Sequence, residues 1–186
     1  MSRPVYVLPG NHDDGTGNGV PGYFDKYFPT PSMPFVYGDN VIVMIDPTSI
    51  ERNVMQEDIE KIEKAIAENP NAKNIFILCH EVIWYNASQQ EEPPFQPNGV
   101  FDDAADSSNF EESVLPLFDN CNAAVYFIAG DAGVYMPAYY RNDGRTSYIA
   151  SGMGLAGKDN ILEVRVLTDG TVDLYLRWLG NKIPFA

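Results

Sequence analysis

Two short runs limit the folds open to this chain more than anything else in it: Ile75-Phe76-Ile77-Leu78-Cys79 and Val125-Tyr126-Phe127-Ile128-Ala129. Both are apolar at nearly every position and lack the in-out alternation of a half-wetted strand. Such a strand is stable only when both of its faces are covered, as in the interior of a layered parallel or mixed sheet. Each run also ends in polar chemistry, His80 directly after the first and Gly130-Asp131 after the second. A third apolar run, Val5–Leu8, ends in Pro9-Gly10-Asn11-His12-Asp13. In layered α/β sheets the loops at the carboxyl ends of the strands converge, and ligands collect there. If the three strands lie side by side in one direction, Asn11, His80 and Asp131 meet in one place.

The remaining pattern is consistent with that architecture. Strands are expected at Val41–Ile45, Thr146–Ala150, Ile161–Leu167 and Val172–Trp178, the last two joined by Thr168-Asp169-Gly170-Thr171, whose Asp-Gly pair is a tight-hairpin signal. Met55, Ile59, Ile62 and Ile66 recur at helical spacing, which predicts a helix over Val54–Glu68 stopped by Asn69-Pro70. Shorter helices are expected at Gly22–Phe28 and Phe110–Phe118. The polar stretch from Tyr85 to Asn109 reads as a solvated loop or a lid. Gly15-Thr16-Gly17-Asn18-Gly19 reads as a turn beside the site, without the Lys of a phosphate-binding loop. Strand-helix alternation followed by a strand meander predicts a single α/β domain of 186 residues, a layered sandwich with mixed sheets.

Charge narrows the partners. The formal net charge is −14, which opposes a nucleic-acid backbone or an anionic membrane surface, and a bare phosphate unless a metal or an arginine intervenes. No apolar run approaches the roughly 18 residues of a membrane helix. No secretory leader is read in MSRPVYVLPG, so the expected location is cytoplasmic. Cys79 and Cys121, in or beside apolar runs, are expected as two buried thiols and not a disulfide. A side-chain carbonyl, an imidazole and a carboxylate are a donor set suited to Mn, Fe or Zn.

Pro9-Gly10-Asn11-His12-Asp13 after an apolar run matches the G-N-H-D/E block of the calcineurin-like metallophosphoesterases, and the chain resembles that family from Val5 to its C-terminal hairpin. His80 falls where the family has its lone His ligand, and Gly130-Asp131-Ala132-Gly133 occupies the place of its G-H-x-H block. The resemblance implies a layered α-β-β-α sandwich lacking the family's first strand-helix-strand unit. It implies hydrolysis of a phosphoester small molecule at divalent metal, with Asn11, His80 and Asp131 as ligands. His12 would protonate the leaving group or steady the phosphate, and Asp13 would orient His12.

The family's D-x-H and G-D blocks have no counterpart ahead of Pro9, and Gly133 stands where the last block has its second His. Three ligands are therefore expected, fewer than a two-metal centre uses, and a start upstream of Met1 remains open. A sheet edge is expected to be left bare and then closed by self-association or by a rearranged strand. Two functional readings stay open: a metal-dependent phosphoester hydrolase, and a non-catalytic binding or scaffold protein that keeps the fold.

Overall fold

In the computed structural model, which describes residues 4–13, 23–28, 33–47, 52–86, 95–98, 108–153, 159–178 and 182–184, the two apolar runs are adjacent parallel strands. Six strands form the main sheet: β1 (Phe35–Tyr37), β2 (Asn40–Met44), β3 (Asn74–Cys79), β4 (Ala124–Ala129), β5 (Ala138–Asp143) and β6 (Thr146–Ser151). Their order is β1-β2-β3-β4-β6-β5. The four central strands are parallel, and the edge strands β1 and β5 are antiparallel to their neighbours. The described residues thus form a mixed α/β fold.

Because β2, β3 and β4 follow one another across the sheet, right-handed crossovers bring their connections to the same face. The first crossover is α2 (Gln56–Glu68), which follows the five-residue helix α1 (Tyr23–Tyr27) in the chain. The second holds a π-type turn at Phe110–Val114 and a 3-10 turn at Leu115–Phe118, not the regular helix expected there. Pro116 has no N–H to give an α-helical ladder and its ring crowds the preceding turn, so the coil widens before it and tightens after it. Ile62 and Ala65 of α2 join Val114 and Phe118 in one core with Val43, Ile77 and Phe127 of the sheet. Phe110 and Phe118 meet the Phe127 ring edge-on at 4.9 and 5.5 Å.

No side-chain cap closes the start of α2. Its first turn is held by Asp58 instead. This buried carboxylate accepts the Asp46 N–H at 3.0 Å and pairs with Lys61 at 2.5 Å, and Lys61 also donates to Met44 O. Asn109 joins the two crossovers by accepting Val54 N–H and donating to Val54 O.

The opposite face of the sheet is covered by a second sheet, β7 (Asn160–Val166), β8 (Val172–Trp178) and β9 (Lys182–Pro184), all antiparallel. The Asp-Gly turn between β7 and β8 forms as expected, with Gly170 at φ +95°. Asn74 anchors it: its amide donates to Gly170 O and to Asn40 Oδ1, both at 2.9 Å. At the other end, Asn160 donates to Pro137 O and Gly152 O. The outer face of this hairpin carries the ion pairs of Glu163 with Arg165 and Arg177. That is a solvent face, and no helical fourth layer is found over it among the described residues.

Val5–Leu8 is not a strand. It pairs with no strand among the described residues, Val5 is 83% exposed, and the run touches the sheet through Tyr6, whose ring lies 4.2 Å from that of Phe35. Pro4 and Pro9 bracket it and remove two N–H groups, and β1 beside it is only three residues long. Both cysteines are free thiols; Cys79 is buried as expected, whereas Cys121, just ahead of β4, is only half-buried. No helix among the described residues is long and apolar enough to cross a membrane.

Candidate functional site

His80 is the first residue after β3, and Asp131 is the second after β4. The register pairs Cys79 with Ala129, so His80 stands beside Gly130. The absence of a side chain at Gly130 makes room for the imidazole: a Cβ there would lie 3.3 Å from His80 Nδ1. The His80 carbonyl accepts the N–H groups of both Gly130 (3.0 Å) and Asp131 (2.9 Å). That pair of hydrogen bonds turns the chain after β4 back toward β3 and brings Asp131 Oδ1 to 3.7 Å from His80 Nε2. The distance is too long for a hydrogen bond. Asp131 is buried, and no N–H donor reaches its Oδ2 among the described residues.

The Gly10–Asp13 turn sits against this pair. Gly10 N–H donates to Asp13 Oδ2 and Asp13 N–H to Gly10 O, both at 2.9 Å. A Cβ on Gly10 would lie 3.1 Å from His80 Nε2, so the bare backbone packs directly on the imidazole. Asn11 is half-buried in this turn, while His12 and Asp13 are exposed. Both still act on His80 electrostatically, and His12 also acts on Asp131. One oxygen of the Asp13 carboxylate, Oδ2, is engaged by the Gly10 N–H.

The environment sets the protonation states. Burial lowers the His80 pKa, against the pull of Asp131 and Asp13, which favours the neutral imidazole that can ligate a metal. Burial raises the Asp131 pKa, opposed by His80, Arg52 and a hydrogen bond from Asn98. Glu81, buried beside them, is pushed up to about 7 by burial and by the Asp131 charge, against Arg52. Two carboxyls in contact at a buried site disfavour double ionisation, so they tend to share a proton.

Arg52, Glu81 and Asn98 are members of this cluster that sequence reasoning missed. Arg52 Nε lies 3.4 Å from Glu81 Oε2, and its guanidinium stands 5.8 Å from the Tyr85 ring centre. Arg52 has φ +53°, a left-handed conformation that costs a non-glycine residue about 1–2 kcal/mol. The only signal for Glu81 is a charge set between Cys79-His80 and Val82-Ile83-Trp84 in an otherwise apolar stretch. Nothing in the local pattern marks Arg52.

Among the described residues no group of three or more His, Cys, Asp or Glu side chains is spaced to hold a metal ion. The expected ligands His80 and Asp131 are brought together, with Asp131 Oδ2 buried and without a hydrogen-bond donor among the described residues, and Asn11 lies half-buried in the adjoining turn. Gly133 has φ +130°, and a Cβ there would come within 2.6 Å of Met153 O, so this position is built for glycine. Residues 14–20, 87–94, 99–107 and 154–158 lie outside the described residues, and with them the Gly15–Gly19 turn and most of the expected lid. No family model matches the chain, and no curated protein or solved structure matches it.

Proposed function

We propose that this chain carries a phosphoester hydrolase site of the calcineurin-like metallophosphoesterase kind, reduced to a single divalent ion, within a layered sandwich of that family's type. One observation carries the reading. His80 and Asp131 end adjacent parallel strands 3.7 Å apart, with the Gly10-Asn11-His12-Asp13 turn laid on the imidazole.

His80 Nε2, the Asp131 carboxylate and the Asn11 carbonyl would hold Mn, Fe or Zn. The ion would supply positive charge to the phosphoryl oxygens and a more acidic bound water. Its charge matters here because a chain of net charge −14 otherwise repels a phosphoester. His12, exposed at the rim, is free to deliver a proton to a leaving oxygen. Arg52 holds Glu81 and moderates the negative charge around Asp131.

The test is turnover of bis(4-nitrophenyl) phosphate during a Mn²⁺ titration. Saturable, metal-dependent turnover that falls about 100-fold in His12→Ala supports the hydrolase. Metal uptake without turnover favours a second reading, a non-catalytic binding protein on the same fold. That alternative rests on Gly133, where a second His ligand has no room.

A further inference from the structure

The face of the main sheet opposite α2 is covered unevenly. Asn74 pins the turn of the β7–β8 hairpin to the foot of β3, and Asn160 pins the start of β7 near the end of β6. Between the two sheets lies a cavity of about 590 Å³, with Ile42, Phe76, Leu78 and Ile128 on one side and Val164 and Val166 of β7 on the other. We propose that this cavity is a binding site for an uncharged, apolar small molecule.

Size is the first argument. The cavity is partly open to solvent, and its volume lies within the about 300–1,000 Å³ spanned by sites for small organic ligands. The lining is the second. Water is held well only where it finds two to four polar partners, and branched aliphatic and aromatic walls supply none. An apolar occupant therefore displaces poorly bound water and removes side-chain surface from solvent.

Charge sets the ligand class. Of the polar residues at the rim, Asn40 is committed, donating to Tyr37 O and accepting from Asn74. No lysine or arginine lines the cavity among the described residues, and Lys73 at the foot of β3 is paired with Asp39 at 3.2 Å. Nothing there offsets a carboxylate or a phosphate, and the whole chain carries −14. The concave form, walled by two sheets, also suits a compact molecule better than a protein strand, which would add to an edge. Leu78, which lines the cavity, is two residues before His80 in the chain. The site nevertheless requires no metal and no chemistry at His80.

The experiment uses the uncharged fluorophore N-phenyl-1-naphthylamine with the full chain and no added metal. The expected result is a saturable fluorescence rise with one site per chain. Ile128→Trp, which fills the cavity, and Val166→Glu, at its exposed margin, should each weaken binding by about tenfold while the circular dichroism spectrum is kept. Val36→Thr, on the exposed strip at β1, should leave binding unchanged. Dodecanol should displace the probe at about one-tenth the concentration of dodecanoate, which carries the same chain with a charge. Non-saturable binding, sensitivity to Val36→Thr in place of Val166→Glu, or equal displacement by the two alkyl compounds would overturn the proposal. If Ile128→Trp does not fold, Val166→Glu and the displacement pair decide it.

Discussion

The two faces of the six-stranded sheet are equally apolar in sequence and unequally closed in structure. On one, Val43, Ile77 and Phe127 are fully buried beneath α2 and the turns around Phe110. On the other, Leu78 and Ile128, each one residue along the same strands, are only half-buried and border a cavity. Crossovers explain the first face: consecutive parallel strands draw their helices to one side. The second face depends on a hairpin pinned at two corners by Asn74 and Asn160. Alternating residues of one strand thus serve opposite ends, structural on the sealed face and accessible on the open one.

The largest expected effect tests that contrast. Phe127→Ala should cost about 3–5 kcal/mol in urea unfolding, because a sealed core cannot collapse into the void. Leu78→Ala should cost about 2 kcal/mol or less, since its site already adjoins open space. Equal losses would mean that the two faces are closed alike. Next comes the anchor of the hairpin. Asn74→Ala removes an amide that ties β2, β3 and the hairpin turn together, with an expected loss of about 2 kcal/mol. Amide exchange should then quicken in β7 and β8 while α2 stays protected.

A smaller effect is tied to pH. Asp169 accepts the Thr171 N–H at 2.9 Å, and this bonding lowers its pKa below the ordinary carboxylate value. A depressed carboxylate contributes stability that is present above its unfolded value and lost as pH falls through the folded one. Hairpin protection should therefore weaken below about pH 4 in the native chain and lose that pH dependence in Asp169→Asn. The smallest effect is at the edge. Val36 is 57% exposed and Tyr37 82% on a three-residue strand. Self-association through β1 should appear in sedimentation as a concentration-dependent shift that Val36→Lys abolishes.

Much of this arrangement was legible because burial writes a strong pattern. β3, β4, β6 and the β7–β8 hairpin follow directly from apolar runs and the Asp-Gly turn, and α2 from the spacing of Ile59, Ile62 and Ile66. Edge strands write a weaker one. β5 mixes Tyr139 and Tyr140 with Arg141, Asn142 and Asp143, because an edge wets one side. Val5–Leu8 shows the reverse error, an apolar run without a partner strand. At the site, His80 and Asp131 were legible as strand-end residues. Arg52 and Glu81 were not, since their pairing across 29 positions exists only after the crossover has folded.

Calorimetric titration with Mn²⁺ tests the central claim most directly, that His80 and Asp131 form one shared ion site. One ion per native chain, with uptake lost in both Asp131→Asn and His80→Phe variants that keep the native circular dichroism spectrum, is the predicted result. Unchanged uptake by the two variants, or no uptake by the native chain, would contradict it.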